Sequence, residues 1–170
     1  MSPALPLAEG RVARRCVGSL VARGATVAVA ESLTAGQVTA RLADVPGASA
    51  VLRGGVTAYA TELKQTLLGV DAALLARVGP VDGQVAAQTC RGVARLLGAD
   101  FAVATTGVAG PGPADGHDAG TVWIAATGPA GTRTRLLTLA GTRAAIRRAA
   151  ALAALALLAE AVSDFPVPRG

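Results

Sequence analysis

Apolar residues recur at helical spacing in five segments of the chain, and most of these segments end at a glycine or a polar turn. The predicted helices cover residues 8–23, 34–43, 61–68, 82–97 and about 142–161. The stretch between the third and fourth helices is predicted to be a short leucine-rich turn.

Short apolar runs between these helices predict strands at residues 25–31, 51–59 and 100–106. Farther along, "TVWIAAT" and "RTRLLTL" flank "GPAGT", and the glycines at both ends of that linker indicate a hairpin. Because strands alternate with helices, the sequence predicts an α/β fold whose sheet is covered on both faces. The hairpin makes the sheet mixed.

The length of 170 residues suits a single domain, which we place at residues 1–170. Hydrophobic residues make up 52% of the chain, but only four side chains are aromatic. The core must therefore be built from valine, leucine and alanine.

The charge pattern argues against several kinds of partner. The net charge is +5, yet the arginines are scattered and lack the stacking aromatics of a nucleic-acid surface, so no nucleic acid is expected. The longest apolar run, residues 149–159, is much shorter than the roughly 20 residues that cross a bilayer, so no membrane is expected.

The amino-terminal segment places its charges after its weak apolar stretch, unlike a signal peptide, and a cytoplasmic location is the expectation.

The two cysteines, Cys16 and Cys90, lie in helical patterns and are predicted to be small core residues. The chain has no CxxC motif or Cys/His cluster, so the prediction is that it uses no metal.

Three predicted strands end in chemically unusual residues, and ligands of such sheets collect at the carboxyl ends of strands. These ends are Glu31-Ser32, Tyr59 and Thr105-Thr106-Gly107. The last of them continues into a loop whose Gly110 and Gly112 could help its backbone N–H groups hold an oxyanion or a phosphate.

Ser32 is the candidate nucleophile. Thr34 and Gln37 fit a capping box, which makes Thr34 the helix cap and leaves Ser32 free in the turn, facing the positive end of the helix dipole. Gly36, in the first turn, leaves room for a ligand. The alternative is that Ser32 itself caps the helix.

Lys64 is the only lysine in a chain that otherwise uses arginine for its basic residues. Arginine keeps its proton in proteins, whereas a lysine can become neutral and act as a base. With Thr61 as the predicted cap, Lys64 lies in the first helical turn, where the dipole lowers its pKa. The alternative is a surface lysine that remains by chance.

Tyr59 is the only tyrosine and could orient the lysine or relay a proton, or it could be a core aromatic with a solvated hydroxyl. A serine and a lysine at neighbouring strand ends suggest nucleophilic catalysis. His117 lies in a Gly/Asp-rich loop without an evident partner, so a Ser-His-Asp triad is the less favoured arrangement.

Several of these stretches together resemble the C-terminal domain family of the competence/damage-inducible protein CinA. The matching text includes "AESLTAG" (30–36), "DVPGAS" (44–49), "GGVTAYATELKQTLLGV" (54–70), "GADFAVATTGVAGPG" (98–112), "GTVWIA" (120–125) and "RAAIRRAAALAAL" (143–155). The resemblance covers nearly the whole chain from about residue 10.

The resemblance implies a three-layer α/β/α sandwich with a mixed, mostly parallel sheet. It also implies hydrolysis of the carboxamide of nicotinamide mononucleotide to nicotinate mononucleotide and ammonia, without a cofactor. Family members use a serine–lysine mechanism, matched here by Ser32 and Lys64 with Tyr59 nearby. For the substrate phosphate, Arg143 and Arg147 are candidates, with a solvated helix face as the alternative.

The family also implies a homodimer. Where the family often has "ESCTGG", this chain has "ESLTAG", which leaves its substrate contacts open. The competing hypothesis is a nucleotide-binding or regulatory module without turnover, linked to competence or DNA damage.

Overall fold

The computed structural model describes residues 7–166. The prediction about a signal peptide rests on residues 1–15, of which the first six lie outside this range, as do both ends of the predicted 1–170 domain.

Helices and strands alternate along the chain. The helices are α1 (Leu7–Val21), α2 (Gln37–Ala43), α3 (Thr61–Thr66), α4 (Ala72–Val78), α5 (Gly83–Leu97) and α6 (Arg143–Ser163). The strands are β1 (Val27–Glu31), β2 (Leu52–Thr57), β3 (Phe101–Gly107), β4 (Thr121–Gly128) and β5 (Gly131–Thr138).

The five strands form one sheet in the order β2-β1-β3-β4-β5. β1 pairs in parallel with both β2 and β3, whereas β4 is antiparallel to β3 and to β5. Four strands therefore run in one direction and only β4 opposes them. This confirms the predicted mixed, mostly parallel sheet and the hairpin.

Alternate residues of the buried strands face two separate hydrophobic cores. Val27 and Val29 of β1 pack in the core that contains the inner faces of α1, α2 and α6. Ala28 and Ala30 pack in the core that contains Cys90 of α5. Successive strand side chains point to opposite faces of a sheet, so these two cores lie on opposite faces. Helices therefore cover both faces, and the three-layer α/β/α architecture is confirmed.

The region predicted to be a leucine-rich turn contains α4. The Asp71 side chain caps this helix by accepting the backbone N–H of Leu74 at 2.9 Å. Leu74 then packs with Val70 and Val85 in a small separate cluster. An aspartate immediately before an apolar stretch is a helix-start signal that the turn prediction did not use.

Both cysteines are buried as predicted. Burial raises the pKa of the Cys16 thiol to about 12 and raises that of Cys90 as well. Within residues 7–166, no group of three or more His, Cys, Asp or Glu side chains could hold a metal ion. No helix in the same range has the length and apolarity needed to span a membrane.

Candidate active site

The Ser32 turn is anchored to the neighbouring strand rather than to a helix cap. The Ser32 N–H donates to the carbonyl of Thr105 at 3.1 Å, and the Thr34 and Thr105 hydroxyls lie 2.7 Å apart. The predicted capping box is wrong, because α2 begins at Gln37 with Gly36 in the cap position and no side-chain cap bond there. Neither Ser32 nor Thr34 caps α2, so the Ser32 hydroxyl is not used at this helix end.

Glu31 performs the capping from the end of β1. Its carboxylate accepts the N–H groups of Val38 and Thr39 at 3.0 and 2.9 Å, and the Thr39 hydroxyl at 2.7 Å. The side chain is only 2% exposed. A buried acid thus satisfies donors at the start of α2 that would otherwise be orphaned, and it fixes the residue next to Ser32.

Lys64 points its amine at Ser32. Its Nζ lies 3.2 Å from the Ser32 Oγ and 3.2 Å from the carbonyl oxygen of Ala58, and the residue is only 2% exposed. Ala60, not the predicted Thr61, occupies the cap position of α3. Burial lowers the pKa of the Lys64 ammonium, and the Asp115 carboxylate partly opposes this shift. The direction agrees with the sequence prediction, but its main cause is burial.

Tyr59 bonds to Arg143 rather than to Lys64. Its hydroxyl accepts from the Arg143 guanidinium at 2.7 Å, and the residue is 55% exposed. The same guanidinium donates to the carbonyl of Gly110 at 2.6 Å. Tyr59 is therefore not a core aromatic, and the carbonyl of Ala58 is what orients the lysine. The strand β2 ends at Thr57, two residues before Tyr59.

Arg147 braces the turn that follows Ser32. Its guanidinium donates to the carbonyls of Leu33 at 2.7 Å and Thr34 at 3.0 Å. These contacts hold the guanidinium against protein backbone. Arg143 and Arg147, which the sequence grouped as phosphate candidates, thus occupy different places.

A cavity of about 350 Å³ connects the three strand ends. Of the predicted site residues, the structure brings these to its wall: Ser32, Tyr59, Lys64, Thr106, Gly107, Gly110, Gly112 and Arg143. Five other predicted site residues do not line the cavity: Glu31, Thr34, Gly36, Thr105 and Arg147. Hydrogen bonds of Glu31, Thr34, Thr105 and Arg147 stabilise the turns around it. His117, the alternative base, does not line the cavity either.

Asp115 is a cavity residue that the sequence analysis did not identify as part of the site. It lies at the tip of a two-residue turn in which Ala114 and His117 exchange backbone hydrogen bonds of 3.0 and 2.9 Å. Asp115 and Gly116 both have positive φ, at 53° and 78°. The Asp-Gly dipeptide is a strong signal for this kind of turn and could have predicted it.

Comparisons with known proteins identify the family of this chain. The model of the CinA C-terminal domain family matches residues 9–162. A CinA-like protein of Frankia casuarinae is 49% identical over 150 residues, which cover 88% of this chain and 35% of that protein. A putative competence-damage inducible protein of Shouchella clausii is 51% identical over 129 residues, covering 75% of this chain and 31% of that protein. The chain thus spans about a third of the length of these relatives.

Solved structures extend the agreement to the fold. A CinA superfamily protein from Klebsiella pneumoniae has 32% identity and a TM-score of 0.88, over 92% of this chain and 99% of that one. The competence/damage inducible protein CihA from Agrobacterium tumefaciens has 32% identity and a TM-score of 0.89, over 96% and 99% of the two chains. The chain belongs to the CinA C-terminal domain family.

Proposed function

We propose that this chain is a serine–lysine amidohydrolase that converts nicotinamide mononucleotide to nicotinate mononucleotide and ammonia. One observation carries the proposal: the amine of a buried lysine lies 3.2 Å from a serine hydroxyl at the wall of a cavity. A buried lysine of lowered pKa is a base suited to a serine nucleophile.

The carbonyl of Ala58 prepares the amine for this role. When Lys64 is neutral, one amine hydrogen can remain bonded to that carbonyl while the nitrogen lone pair accepts the Ser32 proton. The Ala58 N–H is itself bonded to the carbonyl of Glu31 at 2.9 Å, so the orienting group is tied to the strand that carries the nucleophile. Such a positioned proton transfer contributes roughly 10²–10⁴-fold to the rate.

The turn after Ser32 offers a donor for an oxyanion. Among the described residues, the backbone N–H group of Leu33, which lines the cavity, has no hydrogen-bond acceptor. Arg147 holds the carbonyls of Leu33 and Thr34, which fixes the orientation of the turn. Losing a single oxyanion donor costs roughly 10²–10³-fold in turnover.

The bond changes follow from these positions. The Ser32 oxygen attacks the carboxamide carbon while Lys64 takes its proton. The carbon–nitrogen bond then breaks, and the protonated Lys64 gives a proton to the departing ammonia. Water attacks the resulting ester with Lys64 again as the base, which releases the carboxylate product and restores the serine hydroxyl.

Arg143 is the candidate for the substrate phosphate. It lines the cavity, and its hydrogen-bond partners are the neutral oxygens of Tyr59 and Gly110. Within the described part of the chain it has no acidic partner, so its charge is available to an anion. The cavity volume lies within the range of about 300–1,000 Å³ typical of small-molecule sites.

The deciding experiment measures ammonia and nicotinate mononucleotide formed from nicotinamide mononucleotide by the purified chain, with Ser32→Ala as the matched control. We expect turnover by the parent and its loss in the variant. A mass increase at Ser32 in rapidly quenched samples would identify the acyl-enzyme. Binding without ammonia release would instead favour the regulatory module. The homodimer remains a prediction, which sedimentation of the same sample tests.

A further inference from the structure

Asp115 is the only acidic residue on the described wall of the cavity, where the other charged residues are Lys64 and Arg143. Neither a hydrogen bond nor an ion pair engages its carboxylate within residues 7–166. The backbone bonds between Ala114 and His117 hold its turn in place instead. A preformed turn thus carries a carboxylate at the wall of the cavity.

We propose that Asp115 makes the site selective for an amide carried on a positively charged aromatic ring, by placing its carboxylate beside the pyridinium ring. This inference rests on the proposed function. In nicotinamide mononucleotide the ring nitrogen is quaternary, so the ring that bears the carboxamide is a cation. A neutral ring of the same shape receives no such stabilisation from a carboxylate.

The reaction itself creates a need for this carboxylate. Lys64 becomes positively charged when it takes the Ser32 proton, and the charge develops in the cavity that holds the cationic ring. Arg143 adds a second positive charge at the same wall. Asp115 offsets the repulsion between these cations and the ring, while Arg143 remains available to the phosphate.

Measuring ligand binding to a variant without the nucleophile separates the effect of Asp115 on affinity from any effect on turnover. In a Ser32→Ala background, titration calorimetry would give the Kd of nicotinamide mononucleotide and of its reduced form, whose dihydropyridine ring is neutral. We expect Asp115→Asn to lower the preference for the cationic ring by roughly twofold to fivefold, the range of an exposed ion pair. Asparagine tolerates the positive φ of this turn, so the fold should be retained.

Asp118→Asn is the matched control, because Asp118 is an exposed aspartate of the same loop that does not line the cavity. It should leave the ratio of the two Kd values unchanged. The effect of Asp115→Asn should also shrink at high ionic strength, where exposed charges are screened.

The outcomes separate the two proposals. A ratio that is the same in Asp115→Asn and Asp118→Asn, in a chain that hydrolyses nicotinamide mononucleotide, overturns the role of Asp115 and leaves the proposed function intact. Equal changes in the affinity for both ligands are one form of this result, because they leave the ratio unchanged and reflect only the total charge of the cavity. A parent chain that neither binds nor hydrolyses nicotinamide mononucleotide overturns the proposed function, and this inference with it.

Discussion

The Nζ of Lys64 lies 3.2 Å from the Oγ of Ser32, although the two residues are 32 positions apart in the chain. Parallel pairing of β1 with β2 brings them together, since Ser32 follows β1 and Lys64 lies in the helix after β2. The last pair of that register joins Glu31 and Thr57, so both strands end at the same edge. The candidate nucleophile and its base are thus positioned by sheet register.

Replacing Lys64 by methionine should abolish most of the turnover. Methionine preserves much of the length of the buried side chain but cannot accept the Ser32 proton. We expect the rate of ammonia release to fall by roughly 10²–10⁴-fold, the contribution of a general base. Steady-state kinetics with nicotinamide mononucleotide would measure it, and calorimetry in parallel should show a much smaller change in affinity.

Lys64→Met combined with Ser32→Ala provides the control for this prediction. If the two residues act as a unit, the double variant should be little slower than either single variant. A folded Lys64→Met protein with near-parental turnover would remove lysine from the chemistry. Arginine, which the sequence alone would suggest as the mildest exchange, is a poorer probe because Lys64 is buried and a larger side chain would disturb its packing.

The pH dependence should follow the protonation of Lys64. Burial lowers the pKa of its ammonium, and the neutral base is populated only above that pKa, so kcat/KM should rise with pH along the acid limb. Asp115 raises the pKa of Lys64, so Asp115→Asn should move the limb to lower pH. Asp118→Asn should leave the profile in place. A limb that moves to higher pH in Asp115→Asn would contradict this electrostatic coupling.

Glu31→Ala should destabilise the fold by at least about 1.5–3 kcal/mol, the range for one hydrogen bond to a charged group. The substitution removes the acceptor of three hydrogen bonds and leaves the N–H groups at the start of α2 unsatisfied. Urea unfolding would measure the loss, with the exposed Glu62→Ala as control, expected within about 0.5 kcal/mol of the parent. Equal stability of the two variants would mean that Glu31 does not hold α2.

Gly92 and Gly18 should respond in opposite ways to alanine. A Cβ at Gly92 would lie 1.9 Å from the backbone carbonyl oxygen of Leu68, so α5 would have to move away from the segment after α3. We expect Gly92→Ala to cost roughly 1–3 kcal/mol, as overpacking does. Gly18 lies exposed in α1 with no atom within 4 Å of such a Cβ, and alanine there should stabilise by about 0.4–1 kcal/mol.

Denaturant unfolding of both glycine variants checks this contrast. Stabilisation by both substitutions would show that the close approach of α5 to Leu68 relaxes without cost.

The sequence by itself determined the elements whose formation depends on local pattern. The β-branched run at Val27 and Val29 gave a buried strand, and the glycines around the "GPAGT" linker gave a hairpin whose strands extend to Gly128 and from Gly131. Periodicity placed the last helix, and in the structure the Thr142 side chain caps its start by accepting the N–H of Ala145. The family resemblance also followed from the sequence, because short motifs can be recognised directly in the order of the residues.

Tertiary structure decided which polar groups meet. Thr34 and Gln37 fit a capping box, yet Glu31 caps the helix because its carboxylate reaches across the turn. Both arginines at the start of α6 looked equivalent, but helix packing turned Arg147 onto the Leu33 carbonyl. Hydrogen bonds between distant segments depend on strand register and helix packing, which no local window of sequence contains.

The same reason explains Lys64 and Asp115. The sequence identified Lys64 by its uniqueness, but the burial that lowers its pKa exists only once α3 packs beside the end of β1. Asp115 looked like one charge among several in a Gly/Pro-rich loop, and only the folded turn brings it to the cavity. The type of a residue determines which chemistry its side chain can perform. Its burial and its hydrogen-bond partners depend on the packing of segments that are remote in sequence.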